Sequence, residues 1–163
     1  LLLPLLPKEK YDSVEDVDYY GLWSKGIRYL IFDIDDTLIP RNQNTVTPNL
    51  ITFIEKIKSI GFEIYLLSNS RHPKRVKYFS QMLGLPCSSL SFKPLPFGFW
   101  KALEKMQAPA KKTAMIGDQL FMDTLGGNWA GLYTIYITPQ TPESNGFRII
   151  MRDLEKYILS DKS

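Results

Sequence analysis

Four short segments of the chain hold residues that could do chemistry together. They are Asp33-Ile34-Asp35-Asp36-Thr37-Leu38, Leu66-Leu67-Ser68-Asn69, Lys93-Pro94, and Gly117-Asp118-Gln119-Leu120-Phe121-Met122-Asp123. Brought to one place, they supply several carboxylates, a hydroxyl and an ammonium group. Carboxylates gathered in a crevice repel one another and raise their own pKa values. Desolvation adds to the cost unless positive charge joins them. A hard divalent ion held by carboxylate oxygens and water is the simplest compensation, and magnesium suits such a site. A phosphate dianion can then approach the carboxylates. The set therefore has the parts for phosphoryl transfer, which depends on positioning and charge neutralisation.

Such residues need a scaffold that delivers them to one edge. The apolar run Ile27-Arg28-Tyr29-Leu30-Ile31-Phe32 predicts a strand that feeds directly into Asp33. Leu50, Phe53, Ile54 and Ile57 follow helical spacing, and Gly61 closes that helix. The alternation continues with a strand over 62–67, a helix over 73–83, a short strand over 88–92 and a helix over 97–106. A strand over 113–116, a helix over 119–130, a strand over 133–138 and an amphipathic helix over 148–159 complete it. Before the first of these strands, Ser13 to Lys25 reads as one short helix with Ser13 as N-cap and Gly26 as its end. Strands that are apolar throughout, separated by helices, indicate a mainly parallel sheet with helices on both faces. The fold class is α/β, with three layers in a Rossmann-like arrangement. Ligands of such sheets collect beyond the carboxyl ends of the strands, near a change in strand order. All four segments lie just after strands.

Each residue taken singly has a plain structural reading. Asp33 and Asp35 fit a turn, Ser68 a helix N-cap, Lys93 a solvated surface, Asp118 a cap, and Asp123 the wet face of a helix. Their joint occurrence in this order, each at a strand end, favours the chemical reading.

The segments resemble the four motifs of the haloacid dehalogenase (HAD) superfamily: D-x-D-x-T, a Ser or Thr ending the second strand, a Lys, and G-D-x-x-x-x-D. The resemblance implies a magnesium-dependent phosphatase in which Asp33 is the nucleophile. Asp35 would protonate the leaving oxygen and then deprotonate the attacking water. Ser68 would hydrogen-bond the transferring phosphoryl group, with Asn69 and Arg71 beside it as substrate contacts, and Lys93 would balance its charge. Asp33, the backbone carbonyl of Asp35, Asp118 and Asp123 would serve Mg2+, Asp123 directly or as a helper. The run from Gly117 to Asn128, the Lys93-Pro94-Leu95 segment and the Leu- and Pro-rich start are similar to the YqeG-like, subfamily III branch, which includes phosphatidylglycerophosphate phosphatases. Asp36 departs from that branch, where Asn is usual, and one reading has it pointing to solvent.

The gaps between segments leave room for a flap, single helices and a strand, but not for a separate cap domain. An open site favours a bulky substrate such as a lipid headgroup, a protein or a nucleic-acid end, unless an oligomeric neighbour covers it. The resemblance adds a membrane phospholipid as the phosphorylated substrate. Arg71, His72, Lys74 and Arg75 could meet a second phosphate or an anionic bilayer, or form a solvated helix start. Leu95, Phe97, Phe99 and Trp100 divide between core and an exposed patch.

Length and composition suit one soluble globular domain: 163 residues, 44% hydrophobic and 23% charged. We divide it as an apolar arm with a short helix over 1–26 and the HAD-like domain over 27–163. Cys87 is the sole cysteine, so an internal disulfide is excluded and too few thiolates remain for structural zinc. A net charge of +3 with dispersed basic residues gives no ground to expect a nucleic-acid partner. The opening Leu1-Leu2-Leu3-Pro4-Leu5-Leu6-Pro7 is too short to cross a bilayer, and its alternatives are a packed arm or shallow membrane contact. The expected location is bacterial cytoplasm with peripheral contact at the inner membrane face, or a mitochondrial matrix if a leader has been removed. A receiver domain has a different motif order, and no G-x-x-x-x-G-K-[ST] loop suggests a kinase or GTPase. A catalytically idle scaffold and a phosphatase for soluble substrates stand as the other readings.

Overall fold

The structure, a computed structural model, describes residues 3–161. The first two leucines of the arm lie outside the described residues. Six strands form one parallel sheet: β1 (Glu9–Tyr11), β2 (Tyr29–Phe32), β3 (Glu63–Leu67), β4 (Cys87–Ser88), β5 (Thr113–Gly117) and β6 (Tyr133–Ile137). Their spatial order is β1-β6-β5-β2-β3-β4. The chain builds outward from β2 through β3 to β4, then returns to place β5 on the other side of β2. The switch point therefore falls between β2 and β5, and a ligand crevice is expected beyond their carboxyl ends.

Alternate strand residues feed opposite layers, as a sheet covered on both faces requires. Leu30, Phe32, Ile64, Leu66, Ala114 and Ile116 pack on one side with residues of α1 (Tyr19–Ser24), α2 (Pro48–Ile60) and α3 (Pro73–Leu83). Ile31, Tyr65, Leu67 and Met115 face α4 (Pro96–Met106), through Phe99, Ala102 and Leu103. α5 (Leu125–Trp129) lies against α4, and α6 (Gly146–Ser160) closes over β6 through Ile158 and Tyr136. Among the described residues no insertion forms a separate cap.

Three expected elements take a different form. The helix expected over Ser13–Lys25 is two pieces. Ser13 caps a 3-10 turn, Val14–Asp16, and the Asp18 side chain then accepts from Gly21 N at 2.8 Å to start α1. A second capping side chain inside the run thus offers the backbone an alternative to a continuous helix. The strand expected over 88–92 stops at Ser88, because Leu90 and Phe92 take left-handed conformations (φ 51° and 54°) that no strand accommodates. The helix expected over 119–130 opens with a π-helical turn, Leu120–Thr124.

The sequence reading missed β1, a short strand with an exposed Lys10 at the sheet edge. Charge and brevity protect an edge from further pairing, and they also hide it from a search for apolar runs. The arm before it is packed. Leu5 and Leu6 lie against Leu120, Tyr136 and Ile158. The Asn128 side chain donates to Pro4 O at 2.7 Å and Leu6 O at 3.0 Å, and accepts from Thr134 Oγ1 at 2.8 Å.

Asn128 therefore ties the arm to β6. Asn128→Ala is expected to cost about 1–3 kcal/mol by leaving these groups unpaired. The change should appear as a lower urea midpoint with faster amide exchange at Lys8, whose N–H donates to Thr134 O. An unchanged midpoint would deny Asn128 this tethering role.

Candidate active site

β2 and β5 are direct neighbours, with Phe32 opposite Ile116. The residues that follow them, Asp33 and Asp118, consequently leave the sheet side by side. Beyond Asp33 the chain turns tightly, with Leu38 N and Ile39 N both donating to Ile34 O. Thr37 Oγ1, inside that turn, donates to Asp118 Oδ1 at 3.2 Å and links the first segment to the fourth.

The π-helical turn brings in Asp123. Its carboxylate folds back beneath the end of β5, where Oδ2 accepts from Gln119 N at 3.1 Å. Glycine is required at 117 for this approach, since a Cβ there would lie 2.2 Å from that oxygen. Neither aspartate has its plain structural role. Asp118 is fully buried rather than a cap, and Asp123 faces the site rather than water.

Lys93 arrives on the loop between β4 and α4. Its Nζ donates to Asp33 Oδ1 at 2.8 Å, to Asp123 Oδ1 at 2.7 Å and to Leu67 O at 2.9 Å. Burial works against the ammonium charge, but Asp123 and Asp33 more than offset it and raise the Lys93 pKa. The Lys93 loop is fixed by Asn69, whose Oδ1 accepts from Lys93 N at 2.9 Å and from Ser91 Oγ at 2.8 Å, while Nδ2 donates to Lys93 O at 3.0 Å. Gly126 lets α5 press on the same loop, because a Cβ there would sit 2.8 Å from Pro94 O.

Asp33, Asp118 and Asp123 each offer a carboxylate oxygen, and these atoms lie within 4.8 Å of one another. Burial raises the pKa of Asp118 well above the carboxylate range, reinforced by Asp33 and Asp123 and opposed by Arg152. Burial also raises Asp123, to about 6, although Lys93 pulls the other way. The positive charges touching the triad are those of Lys93 and Arg152, and Arg152 is shared with Glu143 and Glu155. Negative charge is thus in excess around hard oxygen donors. This arrangement fits a divalent cation.

Asp35 stands at the rim. Burial raises its pKa, with Arg75 opposing and Asp33 adding to the effect. Arg75 Nη1 lies 2.6 Å from Asp35 Oδ1 as an ion pair without hydrogen-bond alignment, and its guanidinium also donates to Asn44 Oδ1 and Gln43 O. Ser68 is not a helix cap, since α3 begins at Pro73 with His72 before it. Its Oγ accepts from Ser70 N at 3.0 Å, which leaves the hydroxyl proton free to donate. Asp33, Asp35, Ser68, Asn69, Arg71 and Lys93 all border one cavity of about 570 Å³, whose walls add Arg41, His72, Arg75 and Arg148. Asp118 and Asp123 lie beneath it.

The sequence reading missed a second ring of charge. Asp36 does not point to solvent: it is buried in a left-handed turn (φ 60°), accepting from Arg41 Nε at 2.6 Å and Thr141 Oγ1 at 2.5 Å. Arg41 continues to both oxygens of Glu143 at 2.7 Å. Glu143 meets Arg152, which donates to Asp118 Oδ2 at 2.5 Å, to the Asp118 carbonyl, and to Glu155. Glu155 accepts from Leu120 N at 2.9 Å and so anchors the π-helical turn. One signal was present in the sequence, because Arg152 and Glu155 share the buried stripe of α6 with Ile158.

Asp36→Asn keeps the shape and suits the left-handed backbone, but removes the charge facing Arg41. A loss of about 1–3 kcal/mol in urea unfolding is expected, and no loss would mean the pair contributes nothing net. The hydrogen bonds from Arg41 hold the Glu143 pKa below 4.5. Its stabilising contribution is thus fully present above pH 4.5 and disappears as the pH falls through the lower folded value. Urea midpoints should drop on acidification through that window, less steeply in Glu143→Gln, and equal slopes would refute the assignment.

A family model described as haloacid dehalogenase-like hydrolase matches residues 40–131, which include Ser68, Lys93, Asp118 and Asp123. The probable phosphatase YqeG of Bacillus subtilis is 32% identical over 155 residues, covering 95% of this chain and 90% of that protein. The chloroplastic phosphatidylglycerophosphate phosphatase 1 of Chlamydomonas reinhardtii is 26% identical over 161 residues, covering 93% of this chain and 60% of its relative. Among solved structures, an uncharacterized protein from Listeria monocytogenes serotype 4b superposes with a TM-score of 0.58 at 19% identity, over 82% of this chain and 98% of that one. A cobalt-bound deoxy-D-mannose-octulosonate 8-phosphate phosphatase from Haemophilus influenzae does so with a TM-score of 0.55 at 16% identity, over 83% and 89%. These structural likenesses concern the fold. The likeness to YqeG runs through nearly all of both chains, and by it this protein belongs to the haloacid dehalogenase-like hydrolases, as a phosphatase of that family.

Proposed function

We propose that this phosphatase hydrolyses a phosphomonoester carried by a membrane lipid of the phosphatidylglycerophosphate kind, through an aspartyl phosphate on Asp33 and with Mg2+ as cofactor. The observation that carries the mechanism is the Lys93 ammonium, held between Asp33 and Asp123 at the floor of the cavity. It fixes the nucleophile and adds positive charge where a phosphoryl group would arrive. The lipid assignment draws on the substrate named for the Chlamydomonas relative and for a second one in Arabidopsis thaliana, of whose length this chain spans 47%. The open cavity without a cap agrees with a bulky substrate.

Asp33, Asp118 and Asp123, with the backbone carbonyl of Asp35, would hold Mg2+, which when bound neutralises charge on the nucleophile and the phosphoryl oxygens. A carboxylate oxygen of Asp33 attacks phosphorus, and the bond to the lipid oxygen breaks as Asp35 gives that oxygen its proton. Burial suits Asp35 to this task by favouring its protonated form. Asp35, now ionised, takes a proton from water. The water oxygen attacks phosphorus, releases inorganic phosphate and regenerates Asp33. Ser68 donates its hydroxyl proton to a phosphoryl oxygen. Asn69 acts mainly by holding the Lys93 backbone, and Arg71, at the cavity wall, meets a further anionic group of the substrate. The enzyme works on the bilayer from an aqueous compartment, bacterial cytoplasm or organelle matrix. No described helix is long and apolar enough to cross a membrane.

The test is phosphate release from phosphatidylglycerophosphate in mixed micelles, with magnesium or EDTA. Release is expected with magnesium alone, and Asp33→Asn should lower it by roughly a thousandfold or more. Turnover of an aryl phosphate without release from the lipid would remove the lipid assignment and keep the mechanism. Asp33→Asn with wild-type rates would sink the mechanism.

A further inference from the structure

Exposed apolar side chains crowd the edge of the sheet where the cavity opens. Leu90, Phe92, Leu95, Phe97 and Trp100 are 45%, 70%, 48%, 65% and 51% exposed. All lie on the stretch that leaves β4 at its carboxyl end and enters α4, with Lys93 among them. Phe147 and Ile150 are also exposed, on the first turns of α6 after β6 and so at the same edge. At the opposite edge, the connections entering β2 to β5 carry no exposed large hydrophobe among the described residues, while Lys25, Lys111 and Lys112 are exposed there. Met82, Trp129 and Tyr157, at the far ends of their helices, are scattered single exposures of the ordinary kind.

Two features argue that the crowding is held in place. Leu90 and Phe92 adopt left-handed backbone conformations, which are costly for bulky residues and persist only where surrounding structure imposes them. Asn69 and Ser91 impose it here, through the bonds that pin the Lys93 backbone. The Phe97 and Trp100 rings meet edge to face at 5.7 Å between centroids, a preorganised aromatic pair left open to solvent. Across the cavity, exposed Arg71, His72 and Lys74 add basic character to the same edge.

We propose that this edge is a docking surface for an anionic phospholipid bilayer. Phe92, Leu95, Phe97 and Trp100 enter the interfacial region, while Arg71 and Lys74 face anionic headgroups. Aromatic side chains favour that depth, and basic groups add an attraction that salt weakens. The biological sense of the inference rests on the lipid-phosphate reading, because docking at this edge brings the cavity mouth to the membrane surface.

The experiment is co-sedimentation, without substrate, with vesicles of phosphatidylcholine alone or mixed with phosphatidylglycerol. Wild type should partition to the anionic vesicles, and less so to neutral vesicles or in high salt. The double variant Phe92→Ser/Phe97→Ser should partition roughly tenfold or more weakly, since it removes two interfacial anchors, while its aryl phosphate turnover stays unchanged and reports an intact fold. Lys74→Glu should weaken binding to the anionic vesicles alone. Equal partition of wild type and double variant would overturn the proposal, as would wild type ignoring anionic vesicles. Wild type that dimerises without lipid, ignores vesicles and becomes monomeric in the double variant would assign the face to a second copy instead. Normal vesicle binding without release of phosphate from the lipid would defeat the substrate reading and leave the docking surface standing.

Discussion

Repulsion among carboxylates that the fold has buried together is the constraint around which the rest of the structure is arranged. Two unit charges 4 Å apart interact by about 4 kcal/mol at an effective dielectric near 20, so a triad at this spacing needs compensation. Parallel pairing of β2 with β5 makes Asp33 and Asp118 neighbours whether or not their charges agree. The π-helical turn adds Asp123, and Gly117 gives up its side chain to admit it. Lys93 and Arg152 then supply positive charge, one from the loop before α4 and the other from α6. Much of what looks like ordinary packing near the site, including Asn69 on the Lys93 loop and Glu155 on Leu120 N, keeps those two cations where they act.

The outer ion pairs distribute that positioning over the molecule. Asp36, Arg41, Glu143 and Arg152 form a chain from the turn after Asp33, through the connection to α2, to the loop before α6 and on to Asp118. Isolated surface ion pairs contribute little, but these are largely buried, and each later pair orders side chains that an earlier one has already restricted. The turn carrying Asp33 and the residue carrying Asp118 are thereby braced against each other from outside the sheet as well as within it. Preorganisation of this kind lets a site act without reorganising its dipoles as charge develops.

The inner site was legible in the sequence because most of its residues follow apolar strands, and strand ends in a parallel sheet share an edge. Asp33, Ser68 and Asp118 needed no long-range information beyond that, whereas Lys93 stands on the loop beyond the end of β4. Asp123 was legible by spacing, although the π turn that aims it was not, since a one-residue change in helical period leaves no mark on the apolar pattern. The outer pairs were hidden for a different reason. Arg41 and Glu143 are about a hundred residues apart, and only tertiary structure says which carboxylate a given arginine meets. Asp36 read as a solvent-facing residue because Arg41 meets it only where their shared connection folds back, and Thr141 lies on a distant loop. At the N-terminus, β1 lacked an apolar run, and Asp18 divided a helix that periodicity alone would have kept whole.

The gradient of burial across the site suits chemistry at a cavity over which the described residues form no cap. Asp118, Asp123 and Lys93 are buried by protein alone, while Asp33 sits at the boundary and Asp35 lies half-buried above it. The charges that must stay fixed are dry before any substrate arrives. Asp35, which in the proposed mechanism exchanges a proton with the leaving oxygen and with water, is the carboxylate that solvent reaches. An enzyme with a cap excludes water by closing it; here the described residues enclose only the floor, and in the proposed function the substrate and the surface that presents it would cover the mouth. The proposed lipid substrate would meet both needs, because the contact that delivers its phosphoester would also displace water from the rim around Lys93.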